Sequence, residues 1–184
     1  PYTWILMIIG TLALTGFPFL SGYYSKDAII EFAYLKGNTF GYYAALIGIF
    51  TALLTAIYSW RLIFKTFHGS YGNTKLKFES LNESSFIMII PLIILAIGSI
   101  FAGFLFKELF IGYNSVNDFW HNSIKFLHPL SNDHPPLWVI YSTPILVVIS
   151  IPLSYYLFVK NKKITNWLAV ENKPIYNFFL NKWY

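Results

Sequence analysis

Between residues 85 and 106 the chain runs without one charged side chain. A run of that length cannot be a soluble surface element. About 18 consecutive apolar residues are enough to mark a membrane-spanning helix. Similar runs cover residues 2–35, 40–67 and 136–159, although the first is interrupted. Only 11% of the residues are charged, against about 25% in a soluble domain. The reading is an all-α, polytopic membrane helix bundle with about four crossings. Residues 1–159 form the bundle, with crossings near 2–36 (broken), 40–67, 85–106 and 136–159. Residues 160–184 form an interfacial tail, with Trp167, Tyr176, Phe178, Phe179, Trp183 and Tyr184 at the headgroup level.

The net charge is +5. Nucleic-acid binding is disfavoured, because the cations flank apolar segments and form no basic stripe. If the first element crosses once, loop 68–84 and the tail share a side. That side carries Arg61, Lys65, Lys75, Lys77, Lys160, Lys162, Lys163, Lys173 and Lys182, against Lys36, Lys107 and Lys125 opposite. The bias identifies the richer side as internal. The chain has no cysteine, which excludes iron–sulfur ligation by thiolates, disulfides and thiol chemistry within it. It begins with Pro1 in an apolar segment, as expected of a piece of a longer protein.

The interruption is "GFPFLSGYYSKDAIIEF", residues 16–32. Pro18 lacks an N–H and disfavours helix at Phe17, while Gly16 and Gly22 tolerate strained backbone. Two short helices result, each about 21 Å long at ~1.5 Å per residue, so only together do they cross ~30 Å of hydrocarbon. Backbone groups freed at mid-depth are tolerated only where buried in protein or facing water, and broken helices recur at transporter ion sites. Lys26 falls about one turn into the second half. Burial and the positive start of that half-helix weigh against its ammonium, and the neighbouring Asp27 weighs for it. A lysine under such opposed pressures is suited to gaining and losing a proton. Glu31 lies one turn further on the Asp27 face and is a candidate to pass or trap it. The alternative is a static ion pair of Lys26 that pins the break.

The second run carries Thr51, Thr55 and Tyr58 at helical spacing, continued by Arg61 and Lys65, with His68 at the inner mouth. Arg61, Lys65 and His68 are candidates for an inner-side relay. Against this, threonine hydroxyls bond to the preceding turn, long cations snorkel, and "FHG" reads as a helix end. His121, His128 and His134, with Asp118 and Asp133, match no metal-ligand spacing. The third and fourth runs read as packing helices.

The run "LALTGFPFLSGYYSKDAIIEF", with "LTAIYSWRLIFKTFHG", "PLIILAIGSIFAGFL" and "NKWY", resembles the L-type (mitochondrial subunit 5) antiporter-like subunits of respiratory complex I, the NADH–quinone oxidoreductase. The Lys-Asp pair in "SGYYSKD" is the most specific part. The resemblance implies a C-terminal portion of a proton-translocating membrane-arm subunit, with Lys26 its terminal channel lysine and "NKWY" opening a long lateral helix. It implies no cofactor in this chain, with NADH, FMN, iron–sulfur clusters and quinone bound by other subunits. It also implies contact with the M-type subunit and protons as the transported species. The "FHG" and tail segments point to a bacterial plasma membrane, with the mitochondrial inner membrane as the alternative. The runner-up is the large subunit of a multisubunit cation/proton antiporter, whose members more often have Lys-Glu at this place.

Overall fold

A computed structural model describes residues 2–68, 83–110, 119–121, 123 and 135–182. Seven helices are present among them: α1 (Tyr2–Thr15), α2 (Ser21–Leu35), α3 (Thr39–Phe67), α4 (Phe86–Phe110), α5 (Leu137–Tyr155), α6 (Lys162–Glu171) and α7 (Lys173–Leu180). No strand occurs among the described residues, in keeping with a helical membrane bundle. Three helices, α3, α4 and α5 with its continuation to Lys160, are long and apolar enough to cross a bilayer.

Local chemistry sets most of these boundaries. Asn38 caps α3 by accepting a hydrogen bond from the Gly41 N–H at 2.7 Å. Gly37 precedes it at φ +68°, allowing the tight reversal out of α2. Near the end of α5, Pro152 removes one backbone donor. The last turn then widens into a π turn, Tyr156–Lys160, closed by the Asn161 N–H on the Tyr156 carbonyl.

The ring and core contacts fix the helix directions. Trp4 lies against His68, and Tyr34 against both Tyr42 and Trp138. Ile30 packs with Ala45 and Val139, while Ile8, Leu12 and Ile151 pack on Trp60, Ile63 and Phe64. α1 therefore lies beside the second half of α3, and α2 beside its first half. The two short helices follow α3 end to end as one antiparallel element. α4 runs parallel to that element: Leu92 and Leu95 share a cavity with Thr3 and Leu6, and Gly103 meets Ser21 and Tyr24. α5 runs with α3, and small or β-branched residues are buried on both, Ala45, Ala52 and Ala56 on α3 and Val139, Thr143, Val147 and Ser150 on α5, with Ala45 and Val139 in one cluster.

One end of the bundle thus gathers Tyr2, His68, Phe86 and Lys160. Arg61 and Lys65 sit near it, while Lys36 and Lys107 lie at the opposite end. With this geometry, Tyr2→Cys and Phe40→Cys, which flank the broken element, are expected to react with an impermeant thiol reagent from opposite faces of the membrane. Labelling of both from the same face would refute the single broken crossing. The tail is two short helices, α6 and α7, separated at Asn172 where Pro174 opens the second.

Candidate functional site

The break is tighter than its sequence suggests. Helix ends at Thr15 and resumes at Ser21, so the irregular backbone spans only Gly16–Leu20, and Gly22 lies inside the first turn of α2. Gly16 takes φ +82°. Phe19 takes φ +72°, a conformation rare for a bulky residue, with its ring largely exposed. The Phe17 N–H bonds to the Leu12 carbonyl, and the Leu20 N–H to that of Phe17. Gly22 therefore serves a purpose other than backbone strain. A Cβ there would overlap the carbonyl oxygen of Ala13. On α4, a Cβ at Gly103 would overlap Ser21 and press on the Tyr24 ring. The first turn of α2 is clamped between α1 and α4 by these two close approaches.

Lys26 is half-buried, and its stem folds back along the break. Its Cδ passes 3.3 Å from where a Gly16 Cβ would stand, and its Nζ donates to the Thr15 carbonyl at a long 3.5 Å. Thr15 is the last residue of α1. Helix C-termini carry partial negative charge, which attracts an ammonium. The negative end of α1 thus joins burial, the positive start of α2 and Asp27 among the influences on the Lys26 ammonium. The Lys26 stem also borders a groove of about 480 Å³ between α2 and α3, lined by Ile29, Tyr43, Ile47, Thr51 and Thr55. Thr51 and Thr55 stand near the middle of the 29-residue α3, so the groove lies at mid-depth.

Asp27 turns away from its neighbour, as adjacent helical positions must. It is 8% exposed, and among the described residues both carboxylate oxygens are buried without a hydrogen-bond partner. Lys26 and Asp27 therefore make no direct hydrogen bond. Glu31 stands one turn along α2, within electrostatic reach of Asp27 and Tyr23.

The other sequence candidates are placed elsewhere. Thr55 Oγ1 donates to the Thr51 carbonyl at 2.7 Å, as a mid-helix threonine does. Arg61 places its guanidinium 5.6 Å from the centre of the Phe158 ring, against the π turn of α5. Lys65 is exposed in the last turn of α3. His68 ends that helix, its ring between Trp4 and Phe64. Arg61 is ten positions, about 15 Å, along α3 from Thr51, so these three side chains do not join Lys26. His121 is exposed. Asp118, His128, Asp133 and His134 fall outside the described residues.

Residues 58–130 match the family described as NADH dehydrogenase subunit 5 C-terminus. Over its whole length the chain is 41% identical to NADH-ubiquinone oxidoreductase chain 5 of Dictyostelium citrinum and 36% identical to that of Phytophthora infestans. It is 46% identical to the Dictyostelium discoideum protein over 72% of the chain. The chain belongs to the chain 5 family of NADH-ubiquinone oxidoreductase. It spans 28% of the length of the first two relatives and 19% of the third. Membership agrees with the reading that the Lys26-Asp27 pair favours, a membrane subunit of respiratory complex I, over the multisubunit antiporter runner-up. These relatives are eukaryotic, which removes the support for a bacterial plasma membrane and favours the mitochondrial alternative.

Proposed function

We propose that this part of the subunit carries the outlet half of a proton path, coupled to quinone reduction elsewhere in the complex. The observation that carries the reading is the position of Lys26. It is an ionisable side chain at mid-depth, with its head group on a carbonyl at the break and its stem beside a groove. In this reading Lys26 takes a proton arriving along the membrane arm. The broken backbone supplies a carbonyl acceptor that a regular helix would have used internally. Asp27 and Glu31 then lie in order along α2 toward the end opposite the basic one. The chain's own residues bind and move protons, and the redox groups belong to other subunits. The M-type antiporter-like subunit is the expected neighbour, and the mitochondrial inner membrane the expected site, with the basic end on the matrix side.

The test is proton uptake into vesicles per quinone reduced, in the assembled complex carrying Asp27→Asn. Removing a buried ionisable group from a relay is expected to slow its proton transfer by about a hundredfold, the low end for one acid–base group, and so to lower that ratio. A ratio equal to the unmodified complex would remove Asp27 from the proton path.

A further inference from the structure

We infer that Thr143 of α5 is the second polar wall of the Asp27 site, and that a bound water joins its hydroxyl to the Asp27 carboxylate. The inference rests on the proton-path reading above and extends it to a helix whose sequence reads as packing.

Two contacts and one longer-range approach set α2 against α5. The Tyr34 and Trp138 rings meet edge-on with centroids 5.6 Å apart. Ile30 and Val139 share one buried cluster. Tyr23 stands within electrostatic reach of Tyr141. The helices run in opposite directions. Moving about one turn inward from Ile30 reaches Asp27, and about one turn inward from Val139 reaches Thr143. At ~1.5 Å per residue, both residues lie at the same depth.

Thr143 is 1% exposed, and its Oγ1 is buried without a partner among the described residues. That departs from its neighbours. Ser142 donates to the Val139 carbonyl at 2.9 Å, and Ser150 to that of Val147 at 2.6 Å. A hydroxyl in hydrocarbon ordinarily satisfies itself in this way. Thr143 leaves its hydroxyl unused at the depth where Asp27 leaves two carboxylate oxygens unused. One group can donate and the other can only accept when ionised, so they are chemically complementary. They do not touch directly. A water between them satisfies both, which is the ordinary role of water inside proteins. Ser59, Trp60 and Ser154 also have unpaired buried polar atoms. Ser154 is eleven positions, about 16 Å, further along α5, and Ser59 and Trp60 lie in the α3 half beside α1. None of the three has an acid at its depth among the described residues.

The experiment uses the full subunit in the assembled complex, reconstituted in vesicles, with proton uptake per quinone reduced normalised to subunit content. Thr143→Val keeps the shape and removes the hydroxyl. Thr143→Ser keeps the hydroxyl and removes a methyl group. The expected order is serine near the unmodified ratio and valine lower by about threefold or more, the scale of one lost hydrogen bond. A packing role gives the reverse order, with valine normal and serine impaired, and that result overturns the inference. Lys26→Met is measured beside them. Loss in Lys26→Met with a normal Thr143→Val defeats the Thr143 inference alone, whereas a normal Lys26→Met defeats the proton-path reading itself. If valine lowers subunit content, the normalised ratio still decides. A ratio at the unmodified value overturns the proposal, and a low valine ratio restored by serine supports it.

Discussion

Lys26→Arg is expected to assemble in the normal amount and to move far fewer protons per quinone reduced. Arginine preserves the cation and reaches the Thr15 carbonyl with at least equal ease, so any purely structural duty is retained. A guanidinium stays protonated far above neutral pH and does not release its proton under working conditions. A carrier role therefore fails in arginine, with proton transfer expected to slow by about a hundredfold or more, the scale of one acid–base group. Lys26→Ala is expected to be at least as impaired. The competing account, in which Lys26 is a fixed charge that pins the break, predicts the opposite pattern, with arginine functional and alanine poorly assembled. The structure bears on this choice, since Lys26 makes no hydrogen bond to Asp27 and reaches back to α1 instead. Native gels report assembly, and vesicle acidification against quinone reduction reports transport. Full transport by the arginine variant would leave Lys26 as a structural cation.

Gly22→Ala is expected to reduce assembly rather than transport per assembled complex. The added Cβ falls on the Ala13 carbonyl oxygen, with Ala13 C only 3.0 Å away. Both are backbone atoms and cannot swing aside as a side-chain tip would. α1 and α2 must then separate, and the close approach of Gly103 to Ser21 and Tyr24 restricts how α2 can shift against α4. Overpacking of this kind costs about 1–3 kcal/mol, enough to lower the assembled fraction by roughly thirtyfold near the middle of that range. Gly98→Ala is the control. No atom lies within 4 Å of its added Cβ among the described residues, and alanine favours helix by up to ~1 kcal/mol. Subunit content on native gels, compared between the two variants, decides. Equal content would mean that the close approach at Gly22 does not hold the break. A consequence follows for the break itself. A variant that also replaces Gly22 tests packing, so Pro18→Ala alone is the cleaner probe of the irregular turn.

Much of this was legible in the chain. Residues 85–106 had no way to be soluble, and Pro18 with Gly16 had to stop a helix inside a run too short to cross twice. Those conclusions depend on transfer energies and backbone sterics, which act within a few residues and so can be read locally. Lys26 was visible for the same reason, as a charge where no charge is cheap.

The rest depended on which surfaces meet. Nothing in "FPFL" announces that Phe19 takes positive φ, because that conformation is imposed by joining two helices that are already packed. Gly22 was seen as a flexible residue, but its role is set by the carbonyl of Ala13, nine positions away. The Lys26 ammonium was read against the start of its own helix, while its partner lies at the end of the preceding one. Thr143 gave no signal at all, since a single hydroxyl in an apolar run is common, and only the depth of Asp27 on the facing helix gives it meaning. Local energies determined where this chain enters the membrane and where it breaks. The partners of its buried polar groups were decided by helix-to-helix register, which depends on side-chain shape across contacts distant in sequence.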